Sequence, residues 1–141
     1  MDWTLQLAGA EKWSIIAVGR DRRAALALLI ERLSLAIVPA GSDDSSRSIV
    51  ARAEGATFEE MARSLCDALL DLVESEATSG ELLFDGMVKT DEGYAGWGHL
   101  LVGAGDTVIN APVLQGLTAA STEAGVQLTL SLRSSIEGGT A

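Results

Sequence analysis

Apolar side chains recur at Phe58, Met61, Leu65, Leu69 and Leu72, at intervals of 3, 4, 4 and 3 residues. At about 100° per residue these positions form one stripe, and Glu60, Arg63, Asp67, Asp71 and Glu74 gather on the opposite side. The spacing predicts a helix that lies on a core with one face wet. Thr57 stands just before it and Glu60 follows three residues later, the signature of a capping box that sets the helix start. The preceding segment SIVARAEG (48–55) alternates apolar and polar side chains and ends at Gly55. That is the pattern of a half-buried strand running into a turn.

The same order occurs earlier in the chain. WSIIAVGRDRRAALALLIERL carries a β-branched run that ends at Gly19, then a capping residue, Asp21, then a helical pattern. Gly19 and Gly55 are 36 residues apart, and Asp21/Thr57, Leu29/Leu65 and Leu33/Leu69 keep that offset. Two strand–turn–helix units therefore stand in tandem. The first helix is apolar nearly all round its wheel, with Glu31, Arg32 and Ser34 as its polar breaks after the first turn. Leu28 and Leu35 lie off the Leu29/Leu33 stripe. Such a helix is either sandwiched inside the domain or offers a second apolar face, with Leu28 and Leu35 on it, to a partner.

PAGSDDSSRS (39–48) reads as the loop between the two units. Beyond the second helix, ELLFDGMVKT and GYAGWGHLLVG read as strands joined at Asp91-Glu92-Gly93, a hairpin signal. GAGDTVINAP is a loop, and VLQGLTAAS and VQLTLSLRS make a second hairpin around Thr122 to Gly125. The order strand, helix, strand, helix and four strands predicts an α+β fold, two helices packed on a largely antiparallel sheet, in a single domain over residues 1–141.

Composition narrows the function classes. The chain has 141 residues, 48% of them hydrophobic but only 4% aromatic, so Leu, Ala, Val and Ile must fill the core. Twenty acids against ten bases give a net charge of −10. That repels phosphate backbones and anionic lipid, so direct nucleic-acid or membrane binding is not expected. The most apolar run, AALALLIERLSLAIV, is broken by Glu31 and Arg32 and is too short for a membrane span. With no basic leader segment at MDWTLQL, a cytoplasmic protein is the expectation. One cysteine, Cys66, excludes an internal disulfide and a cysteine-based zinc site.

Few residues carry chemistry. His99 is the only histidine, and it sits two residues from Trp97 in a predicted strand, so both point to one sheet face. They form either a half-buried patch of no special role or a contact site for a partner. GAGDTV (103–108) lacks the third glycine and the strand–loop–helix context of a dinucleotide loop. SDDSS (42–46) has too few alternating ligands for calcium. Cys66 reads as a small buried hydrophobe.

The glycine-then-helix start VGRDRRAALALL, the stretch AEGATFEEMARSLCDALLDLVESE, the strand pair containing GWG and the paired terminal strands together resemble the archease family. Those are small acidic proteins built on a strand–helix–strand–strand module, and the resemblance spans most of the chain. It implies a non-enzymatic, chaperone-like accessory protein whose partner is an RNA ligase of the tRNA-splicing type. The family also associates a divalent metal with an acid before the first full strand and an aspartate in the last one. The matching positions here are Glu11, with a one-residue slip, and Ser131. The family's Lys-Ala-Val-Thr-Tyr-His run falls on Gln115 to Ala120, where only Thr118 survives. The resemblance therefore implies no catalytic residues and a degenerate or absent metal site, with no cofactor beyond a weak divalent ion. Two other readings stand beside it: a small enzyme with a pocket around Glu11 and His99, and a homo-oligomer assembled through Leu28 and Leu35.

Overall fold

The structure, a computed structural model, describes residues 12–37, 47–76, 80–102 and 112–133. They form β1 (Lys12–Gly19), α1 (Arg22–Ile37), β2 (Arg47–Gly55), α2 (Phe58–Glu76), β3 (Gly80–Thr90), β4 (Gly93–Val102), β5 (Val113–Thr122) and β6 (Gly125–Arg133). The expected α+β order is present. The six strands divide into two three-stranded sheets, β1-β6-β5 and β2-β4-β3, and every pairing is antiparallel.

This division gives the tandem repeat its meaning. Residues 47–102 make a continuous strand–helix–strand–strand module with strand order β2-β4-β3. The same module recurs as β1 and α1 followed, after the first has intervened, by β5 and β6. One module is thus inserted into a copy of itself. The correspondence reaches individual backbone atoms. A Cβ on Gly19 would overlap the Ala25 amide nitrogen, and one on Gly55 would overlap that of Met61, so each strand end must be glycine for its helix to start so close. In each hairpin a positive-φ glycine, Gly125 or Gly93, lies against the carbonyl of Gly19 or Gly55. Each hairpin is also preceded by a threonine whose Oγ1 accepts an amide two residues on, Thr122 from Ala124 and Thr90 from Glu92.

Both helices start as their sequences require. Asp21 Oδ1 accepts the Ala24 amide at 2.8 Å, and Thr57 Oγ1 accepts that of Glu60 at 3.1 Å, satisfying donors that a helix end leaves open. Glu60 reaches back to the Ala56 amide, one residue earlier than the capping box expects. In α2 the buried residues are Phe58, Met61, Ala62, Leu65, Cys66, Leu69, Leu70 and Val73, while Glu60, Arg63, Asp67, Asp71 and Glu74 are exposed.

The helices lock the two modules together reciprocally. Helix α1 packs on β1 and β6 of its own sheet and also on β3 of the other. Helix α2 packs on β2 and β4 and also on β5. Hydrogen bonds secure each cross-contact. Arg23 donates to the Met87 carbonyl at 2.7 Å, and Glu59 accepts from the Ala119 amide at 2.6 Å. Arg23 and Glu59 are 36 residues apart, like the glycines that precede them. Ser34, 5% exposed, accepts the Leu82 amide of β3 at 2.9 Å. The helix is therefore sandwiched, which is why its wheel is apolar nearly all round. Leu26, Leu29, Ile30 and Leu33 are fully buried.

Candidate functional site

Strand β4 lies at the centre of its sheet, and its two faces differ sharply. On one face Gly96 and Gly98 lie under α2: a Cβ on Gly96 would run into the Met61 side chain, and one on Gly98 would overlap the Leu83 carbonyl of β3 while touching Leu69. Trp97 and His99 therefore project to the opposite, outward face. Their neighbours there follow from register: Arg52 beside Trp97 and Val50 beside His99 on β2, Gly86 and Leu83 on β3. Val50 is 64% exposed and Val88, in the row beyond Trp97, 48%.

The polar groups of this face are held in place. The Arg52 guanidinium lies 5.6 Å from the centroid of the Trp97 ring and pairs with Glu54 at 2.8 Å. Strand β3 is bulged between Phe84 and Gly86, and the extra residue, Asp85, is carried onto His99. Both Asp85 oxygens lie 2.9 Å from His99 Nδ1. A carboxylate at Nδ1 orients the ring and leaves Nε2 as its other polar atom. The expected Trp97/His99 juxtaposition is thus present, extended by three charged residues. Arg52 and Glu54 could be found by strand alternation, but Asp85 depends on a bulge with no sequence signal beyond the adjacent Gly86.

The duplicated fold supplies an internal control. Counting from the two bulges, the positions of Asp85, Trp97 and His99 are taken in the other module by Gln115, Ser131 and Arg133, and those of Val50 and Arg52 by Lys12 and Ser14. The scaffold is the same at both places, so folding does not demand the Trp–Arg and His–Asp sets. They are properties of one face.

The other expected site residues are dispersed. Leu28 is half-buried and packs against the core, whereas Leu35 is 79% exposed, so they do not form one apolar face for a partner. Leu28 turns inward because α1 has a second sheet to pack on. Glu11 lies outside the described residues, as do SDDSS and GAGDTV. Ser131 sits in the row Ser14–Ser131–Gly116, between the rows Lys12–Arg133–Val113 and Ile16–Thr129–Thr118. Hydroxyls beside two cations, with no carboxylate in the three rows, do not fit a hard divalent ion, whose ligands must supply negative charge. Among the described residues no group of three or more His, Cys, Asp or Glu side chains could hold a metal. The Asp67, Asp71 and Glu74 carboxylates are on the wet side of α2. Cys66 is fully buried, and burial, with the neighbouring Asp67 carboxylate adding to it, pushes its thiol up to about 12.

Among the described residues no helix is long and apolar enough to cross a membrane. No protein-family model matches the chain, and no curated protein matches it either.

Proposed function

We propose that this chain is a cytoplasmic, non-catalytic accessory protein that binds a protein partner through the outward face of β2, β4 and β3. The observation that carries the reading is the Trp97–Arg52 stack beside the exposed Val50, on a face whose counterpart in the duplicate module lacks all three. Tryptophan and arginine are the residues most enriched among those that dominate binding energy. Here the pairs Arg52–Glu54 and His99–Asp85 hold the side chains before a partner arrives, which lowers the ordering cost of association. The nested strand–helix–strand–strand modules and the acidity agree with an archease-like chaperone role, in which the partner is an RNA ligase of the tRNA-splicing type. The net charge of −10 favours a basic partner surface over nucleic acid. Affinity capture from a cell extract with the intact chain tests this. The reading expects a protein that Trp97→Ala and Val50→Glu both release while the fold persists by circular dichroism. Equal recovery with both variants would refute it.

The His99–Asp85 pair favours a second reading. An acid–base pair needs its members within hydrogen-bonding distance, and these two meet that requirement. A small-molecule reaction at His99 Nε2 would be lost in His99→Gln and strongly reduced in Asp85→Asn. Turnover unaffected by either change would remove it.

A further inference from the structure

Antiparallel sheets end in strands whose outer backbone groups invite another strand, and proteins usually block such edges. Each of the two sheets has two edges, and three of the four are blocked here by side chains. Strand β3 gives its Leu82 amide to Ser34 and its Met87 carbonyl to Arg23. Strand β5 gives its Ala119 amide to Glu59. Strand β1 receives Arg32 on its Ile16 carbonyl. Strand β2 is the exception: among the described residues no side chain is bonded to its backbone. It pairs with β4 from Arg47 to Gly55 without a bulge, and it contains neither proline nor lysine.

The chemistry of this edge fits a second copy of the chain. Arg52 and Glu54 are two residues apart, so both lie on the outward face. If two β2 strands pair antiparallel about Ala53, Arg52 of each faces Glu54 of the other, giving two ion pairs. Centring the pairing one residue earlier would set Arg52 against Arg52, so charge selects the register. The helix above leaves room as well. Helix α2 lies over β2 and β4. With strands about 4.8 Å apart, two such helices related across a β2–β2 pair lie about 10 Å apart, an ordinary helix-packing distance. The α2 flank opposite Glu59, which faces β5, presents the small residues Ser64 and Ala68. Larger side chains there would hold the helices apart.

We infer that the β2 edge is a self-association site. Two copies pair their β2 strands into one six-stranded sheet, β3-β4-β2-β2-β4-β3, with the α2 helices side by side above it. The dimer carries two Trp97/His99 sites on one continuous face.

Sedimentation or light scattering of the full chain at micromolar concentration should give twice the 14.7 kDa chain mass. Arg52→Glu and Glu54→Arg should each weaken the dimer by about tenfold, because each makes two like-charge pairs. The double variant Arg52→Glu/Glu54→Arg should restore it, a recovery that damage to the fold could not produce. Ser64→Arg, at a position exposed in the single chain, should give a folded monomer. A monomer throughout the concentration range would overturn the inference. So would a dimer indifferent to Ser64→Arg and both charge reversals, or one dissociated only by Leu35→Glu on α1.

Discussion

Replacing Ser34 by alanine isolates the device that joins the two modules. Ser34 is 5% exposed, and its Oγ accepts the Leu82 amide at 2.9 Å across 48 residues of sequence. Leu82 is itself 1% exposed, so water cannot take over the bond in the folded state. Alanine fits the space and suits a helix better than serine, which gains a few tenths of a kcal/mol at most. Against that stands a buried amide left without an acceptor, at about 1–3 kcal/mol. The expected net loss is about 1–2.5 kcal/mol. For a chain of this length that lowers the melting temperature by about 3–8 °C. Urea unfolding gives the free energy, and hydrogen exchange at the Leu82 amide reports the same bond locally. Ser75→Ala is the control, because Ser75 Oγ donates to the Leu72 carbonyl on an exposed part of α2 and should change stability by less than about 0.5 kcal/mol. If Ser34→Ala cost no more than Ser75→Ala, with Leu82 protection unchanged, the account of how α1 secures the β3 edge would be wrong.

Other perturbations test other parts of the structure. Gly55→Ala should cost more than about 3 kcal/mol, because its Cβ would meet the Met61 backbone, whereas Gly116→Ala meets open space and should stay within about 1 kcal/mol; thermal melts of the pair decide this. Leu28→Ala should cost about 1–2 kcal/mol and Leu35→Ala under about 0.5 kcal/mol, in line with core contact against 79% exposure; equal losses in denaturant titrations would contradict the packing of α1. Cys66 predicts a pH effect. Its folded value of about 12 exceeds the ordinary 9.0, so its contribution is complete below pH 9 and is lost as pH rises from there towards 12. Unfolding titrations should lose about 1.4 kcal/mol per pH unit in that window relative to Cys66→Ala, and a thiol reagent should label the wild type only on unfolding.

Much of the scaffold was legible because it rests on local rules. The α2 stripe, the Asp21 and Thr57 caps and both hairpin turns follow from periodicity and turn chemistry, which act over a few residues. The 36-residue offset even revealed the duplication. It could not reveal that one module is nested in the other, because β5 and β6 return to β1 across the whole inserted unit. Ser34 shows the same limit. By pattern it was a polar break in an apolar helix, and its partner is 48 residues away. Leu28 and Leu35 looked alike on the helical wheel, and only the presence of a second sheet separates them.

The site divides in the same way. Strand alternation alone places Trp97 and His99 on one face, since side chains in a strand alternate whatever the sheet does. Asp85 reaches that face only because β3 bulges, and the β2 edge stands out, among the described residues, only beside three edges that side chains block. The sequence by itself determined where elements begin and end and which side of each is apolar, because those are short-range consequences of backbone and side-chain chemistry. The tertiary structure decided which elements share a sheet, what α1 is buried between, and which strand edge no described side chain covers. Those depend on contacts between residues that no local pattern links.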